Sequence, residues 1–182
     1  MSISIYITDL SAYNQGHLVG RWIELPLATD KLLQALSEVL REGEIVSGSK
    51  DHEEVFITDW ECDYLRIDEY DSIEELNNIA EITEHYSDDD FVKLKFLEHE
   101  GYHTRKLILE ENINSFDVDI YDYSSDSSFT DVYELLAQDL VDEGLFGSIP
   151  NNIANYIDYS AIGRDLSCDY VEFEDNVLGR VS

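Results

Sequence analysis

Carboxylates dominate the chemistry open to this sequence: 41 Asp and Glu stand against 11 Lys and Arg in 182 residues, a formal net charge of -30. In such a population a pair spaced for general acid and base work arises by chance, so no single pair is evidence of catalysis. A calcium loop opening at Asp117 or Asp122 has neither the glycine at its sixth position nor the glutamate at its twelfth that an EF-hand needs. That leaves only weak, unspecific association with Ca²⁺ or Mg²⁺. His17, His52, His85, His99 and His103 form no metalloprotease motif. His99 and His103 are four apart, but Gly101 between them weakens a shared helix face and favours surface histidines. Cys62 and Cys168 lie in no paired motif, a pattern of reduced, buried thiols rather than of a disulfide framework. Either thiol could in principle pair with a histidine as a nucleophile, yet neither sits in a recognisable context. Glycine-rich phosphate loops and basic nucleic-acid patches are missing from the sequence. The expectation is a protein that is not an enzyme and needs no cofactor or metal.

What remains is the field of the whole chain. A strong anionic field repels nucleic acid and acidic membranes and attracts basic surfaces. A duplex carries one charge per roughly 1.7 Å of axis, so 30 carboxylates match the phosphates of about 15 base pairs. A compact ball of this mass would expose on the order of 9,000 Å², or about 300 Å² per net charge. A duplex presents a charge per ~100 Å². Matching it calls for an elongated shape, a one-sided distribution, or both. Acidity also suits a solubility adaptation, a halophilic surface or disorder, but 43% hydrophobic residues, 12 Tyr, 7 Phe, 2 Trp and only 2 Pro argue for a folded chain. Met1 leads straight into Ser2-Ile3-Ser4-Ile5 and no apolar run reaches membrane-spanning length, so a cytoplasmic protein is expected.

The elements that must carry these charges are legible in part. Ser2 to Thr8 alternates strictly, with Ile3, Ile5 and Ile7 on one face, and predicts a half-buried strand. A helix is predicted from Asp30 to about Arg41, with Leu32, Leu33, Leu36, Val39 and Leu40 at core spacing and Gly43 as its stop. Glu54 to Trp60 reads as a further strand of the same sheet. Ser72-Ile73-Glu74-Glu75 has capping-box spacing for a helix through Glu84. Ser87 with Asp88, Asp89 and Asp90 opens another helix, whose buried stripe is Phe91, Leu94 and Leu97. Residues 69 to 112 carry no strand signal. Phe116 to Tyr121 alternates again, with Phe116, Val118 and Ile120 predicted inward and Asp117, Asp119 and Tyr121 outward. Thr130 is the expected cap of a helix from Asp131 to Glu143 stopped by Gly144, and Tyr170 to Glu174 is the closing strand, Val171 and Phe173 inward. The fold class read from this pattern is α+β, an elongated chain of three small domains. Residues 1–68 make a mixed α/β domain, 69–112 a helical one and 113–182 a second α/β domain. Their net charges are -8, -9 and -13, so the anionic field runs along the whole chain.

The sharpest acidic cluster is on the helix from Asp131. There Asp131, Glu134 and Asp142 share one stripe while Asp139 and Glu143 form a second row, and like charges at such spacings cost a few tenths of a kcal/mol per pair. With Asp117, Asp119 and Asp122 on the preceding strand, these are the candidate partner-facing acids.

Three stretches together resemble the ArdA family of antirestriction proteins. The first is Tyr6-Ile7-Thr8-Asp9-Leu10 with Tyr13-Asn14-Gln15-Gly16 and Leu18-Val19-Gly20-Arg21-Trp22. The second is Asp68-Glu69-Tyr70-Asp71-Ser72-Ile73-Glu74-Glu75-Leu76-Asn77. The third runs from Glu143-Gly144-Leu145-Phe146-Gly147 through Ile149-Pro150 to Asn155-Tyr156-Ile157-Asp158-Tyr159 and Gly163-Arg164-Asp165-Leu166. The resemblance implies a protein of bacterial mobile elements that mimics bent B-form DNA. It would occupy the DNA-binding groove of type I restriction-modification enzymes, inhibiting restriction and, less completely, methylation. It also implies a homodimer joined through the third domain, with no direct contact to nucleic acid or membrane. The antirestriction segment corresponds to about Asp131 to Pro150. Leu145, Phe146, Tyr156 and Tyr159 are candidate packing or dimer residues, Gly144, Gly147, Pro150 and Gly163 are read as turns and caps, and Arg164 as an internal neutraliser of acids. Two rivals stand beside this reading: an acidic inhibitor or chaperone of another basic DNA-binding protein, and a salt-adapted acidic enzyme.

Overall fold

A computed structural model describes residues 2–110, 112–125 and 131–182. The architecture is mixed α/β, with several helices and two three-stranded sheets. The chain divides into two compact units, Met1–Ile113 and Asn114–Ser182.

In the first unit β1 (Ile3–Asp9) is the central strand, antiparallel to both β2 (Gly20–Leu25) and β3 (Val55–Glu61). Period two sends Ile3, Ile5 and Ile7 fully inside, where they meet Ile23, Leu25 and Ile57. Each such side chain contributes roughly 1.5–3 kcal/mol on burial. A short helix, α1 (Leu10–Asn14), follows β1 directly, capped by Asp9, whose carboxylate accepts the Ala12 N–H. α2 (Thr29–Ser47) is longer than its sequence signals suggest. It passes through Gly43 and ends at Gly48, whose φ of 72° supplies the left-handed stop. Of its predicted core positions Leu32 and Val39 are buried, whereas Leu33 is solvent-facing.

α3 (Ile73–Thr83), α4 (Asp88–His99) and α5 (Thr104–Leu109) complete this unit. Ser72 accepts the Glu75 N–H, but the other half of the predicted capping box does not form. Glu75 turns to Arg105 instead, 3.0 Å away, and the same guanidinium reaches Asp71 at 2.5 Å. A charged partner outweighs a backbone N–H that water can serve. At α4 the box is complete, Ser87 and Asp90 each serving the other's backbone. Phe91, Leu94 and Leu97 are buried there, with Phe96.

The second unit is built on β4 (Val118–Asp122), β5 (Val171–Glu174) and β6 (Val177–Val181) in the order β4-β6-β5, all antiparallel. The sequence reading has no β6, yet it is the central strand. The core lies on the face of β4 opposite to the predicted one. Tyr121 and Tyr123 pack on Val132, Leu136, Leu140, Tyr170 and Leu178, while Val118 and Ile120 stay half-buried and outside that core. Val171 and Phe173 are likewise only half-buried. The reason is register: Tyr121 stands opposite Leu178, which is fully buried.

Candidate functional site

The acids singled out above are positioned by β4 and by α6 (Val132–Asp142). Six of the eleven residues of α6 are buried, Val132, Leu135, Leu136, Ala137, Leu140 and Val141, which confines its acids to a narrow solvent-facing strip. Asp131 is the N-cap and accepts the Tyr133 N–H at 2.9 Å; Thr130 lies outside the described residues. α6 ends as predicted, with Gly144 at φ 87°. α7 (Tyr159–Leu166) packs against the start of α6 through Gly163, where a β-carbon would stand 2.8 Å from the Tyr133 carbonyl oxygen. Gly163 is therefore a close-approach residue inside a helix, not a turn or a cap. Gly144 and Gly147, both at positive φ, are the turn glycines that the sequence suggests.

The eight acids differ in what they touch. Asp119 is taken by Arg180 at 2.5 Å and by the Ser182 hydroxyl at 2.8 Å. The guanidinium, opposed by partial burial and aided by the hydroxyl, holds this carboxyl below its usual range. Arg180 also lies over the Tyr170 ring, 4.7 Å from its centroid. Asp139 accepts the Tyr123 hydroxyl at 2.7 Å, and burial together with that carboxylate pushes the phenol well up. Burial raises Tyr121 as well, and the charge of Glu143 adds to it. Asp122 accepts from Ser124 and is lowered by that contact. Asp117, Asp122, Asp131, Asp142 and Glu143 are exposed and Glu134 is half-buried; none of these six has a basic partner among the described residues.

Beyond α6 the chain turns through residues that were candidates for packing or pairing. Leu145 and Phe146 are solvent-facing, Tyr156 is 85% exposed and Tyr159 is half-buried at the start of α7. Of these four only Tyr159 lines a groove of about 470 Å³, together with Val141, Ile149, Ala154 and Ile157 among others. Arg164 makes no ion pair among the described residues; neutralisation in this unit falls to Arg180 instead. Residues 114–182 contain 15 acids and only these two bases.

One buried constellation escaped sequence reasoning altogether. In the first unit His52 Nδ1 lies 2.6 Å from Asp9 Oδ2, both side chains essentially without solvent contact, and His52 Nε2 lies 2.7 Å from Ser49 Oγ. Gly43 makes room for it: a β-carbon there would overlap the Asp9 carboxylate and stand 3.0 Å from His52 Nδ1. Asp9 and His52 are 43 residues apart, and no local pattern joins them. The pair ties the start of α1 to the segment after α2, which is structural work. Elsewhere Cys62 is half-buried, its thiol pushed up by that burial, and Cys168 is exposed rather than buried; both are free. No group of three or more His, Cys, Asp or Glu suited to a metal ion occurs among the described residues. Nor is any described helix long and apolar enough to cross a membrane.

The family model described as antirestriction protein (ArdA) matches residues 5–178, so the chain belongs to that family. No curated protein matches it.

Proposed function

From that membership, we propose that this protein inhibits type I restriction-modification enzymes of a bacterial host by standing in for DNA. Its carboxylates take the places of phosphates, pair with the Lys and Arg of the enzyme's DNA channel, and block restriction and, less completely, methylation. The inhibition is competitive and non-catalytic, and the protein itself does not bind nucleic acid. In this reading the chain acts as an elongated homodimer of three-domain subunits joined through the third domain, around Leu145, Phe146, Tyr156 and Tyr159.

The supporting observation is the uncompensated charge of the second unit. Asp117, Asp122, Asp131, Asp142 and Glu143 face solvent without a basic partner among the described residues. A solubility adaptation has no need to stack acids on one helix against their mutual repulsion. A polyanion facing a basic channel does.

Binding through many spaced carboxylates distributes the energy, each exposed ion pair contributing roughly 0.2–1 kcal/mol. The test is inhibition of a type I endonuclease, with a type II endonuclease as control, by single and combined amide variants at two salt concentrations. Replacing Asp142, Glu143 or Asp139 alone weakens inhibition only several-fold. Replacing all three with Asp117 and Asp122 costs much more and flattens the salt dependence. One correctly folded single amide variant that abolishes inhibition would sink the distributed model. Equal inhibition of the type II enzyme, or direct binding of DNA in a mobility-shift assay, would favour the rivals.

A further inference from the structure

The geometry points to a second kind of contact on the first unit: an arginine-docking face on the outer side of the β2-β1-β3 sheet. This inference rests on the reading of a basic protein partner and adds a chemically distinct element to it.

The inner side of the sheet is the core, through Ile3, Ile5, Ile7, Ile23 and Leu25. The opposite side is set by register. One row across the three strands reads Trp22, Tyr6, Asp59 and the adjacent row reads Glu24, Ser4, Glu61. Strands lie ~4.8 Å apart and same-face rows roughly 7 Å apart, so three carboxylates surround an aromatic pair within the reach of one side chain. Trp22, Glu24, Asp59 and Glu61 are all solvent-facing, Trp22 by 45%. Tyr6 and Trp22 meet edge to face with ring centroids 5.6 Å apart. Gly20 seats the pair, since a β-carbon there would stand 2.6 Å from the Tyr6 ring. Neither row contains a base; Arg21 faces the other way, into Glu38 and Glu42 of α2.

An exposed tryptophan is not part of any phosphate imitation, because a DNA backbone has no apolar plane. It suits a cation that is both flat and charged. A guanidinium can stack on the Trp22 face while its N–H groups reach Glu24 or Asp59, whereas an ammonium is a strongly hydrated point charge with no plane to stack. The occupant is therefore an arginine-bearing segment of the basic partner, drawn by the surrounding field and held by the aromatic pair.

The probes are an arginine octapeptide and a lysine octapeptide of equal charge, titrated into the full chain at low and high salt and followed by calorimetry. The unaltered protein prefers the arginine peptide by about two- to fivefold, and the preference persists at high salt because stacking is not screened. Trp22→Thr, a change that keeps strand propensity, removes the preference while leaving lysine-peptide binding nearly unchanged. Glu24→Gln weakens both peptides and lowers the salt dependence. A folded Trp22→Thr protein that retains the preference overturns the assignment, as does an unaltered protein that shows none. Unaltered protein that fails to inhibit a type I endonuclease while keeping its arginine preference overturns the antirestriction reading and leaves this face standing.

Discussion

Gly43→Ala separates two physical accounts of one glycine by the sign of its effect. By propensity alone, alanine in the interior of α2 stabilises the helix by about 1 kcal/mol over glycine. The packing says the opposite. A β-carbon at Gly43 overlaps the Asp9 carboxylate. That carboxylate has nowhere to go, since it is fully buried, bonded to the Ala12 N–H at 2.8 Å and held by His52 at 2.6 Å. Either α2 shifts bodily, at the roughly 1–3 kcal/mol typical of overpacking, or Asp9 lets go of α1, at about 1 kcal/mol for a lost N-cap, and the His52 pair loosens with it. After subtracting the propensity gain, the net is a loss of up to about 2 kcal/mol. Trp22 and Trp60 both belong to the unit that contains Gly43, so intrinsic tryptophan fluorescence in a urea titration reports on it. With a slope of ~1–3 kcal/mol per M, a net loss of about 1 kcal/mol lowers the midpoint by roughly 0.3–1 M. Gly48→Ala is the control. Gly48 has open space around it but a φ of 72°, so alanine there costs about 1 kcal/mol through left-handed strain alone and leaves the Asp9–His52 bond intact. A Gly43→Ala midpoint at or above that of the unaltered protein would refute the packing account.

The second unit has its own pH test. Arg180 and Ser182 hold the Asp119 carboxyl below its usual value. A depressed carboxyl contributes stability that is present above the unfolded value near 4 and is lost as pH falls through the folded one. About a third of the Asp119 side chain is exposed, so Asp119→Asn lowers stability at pH 7 by less than about 1 kcal/mol. The difference from the unaltered protein closes as the solution is acidified below about pH 4, read from the amide signals of Tyr170 and Leu178 in urea; a difference that grows on acidification would reverse the assignment. Pairing through the third domain predicts that sedimentation at micromolar concentration gives a dimer and that Phe146→Ser with Tyr156→Ser weakens it at least tenfold, whereas a monomer for the unaltered chain would remove the pairing from the proposal.

What could be read in the sequence was whatever its signals resolve locally. β1 is visible because Ile3, Ile5 and Ile7 alternate without a break, and α4 because Ser87 and Asp90 cap it within four residues. β6 escaped because Gly179 and Arg180 interrupt its alternation, and Arg180 is explained only by a partner far away in sequence. Arg180 is there for Asp119, 61 residues earlier. Gly43 looks like a helix stop until Asp9 comes into view. The same division runs through the candidate acids. Asp119 and Asp139 read in sequence like their neighbours, but Arg180 has taken the charge of one and the Tyr123 hydroxyl fixes the other. A carboxylate already neutralised cannot also neutralise a partner's lysine at full strength. The surface available to a basic groove on this unit is therefore narrower than the count of acids suggests, and rests on Asp117, Asp122, Asp131, Asp142 and Glu143. Asp119 instead ties β4 to Arg180 of β6.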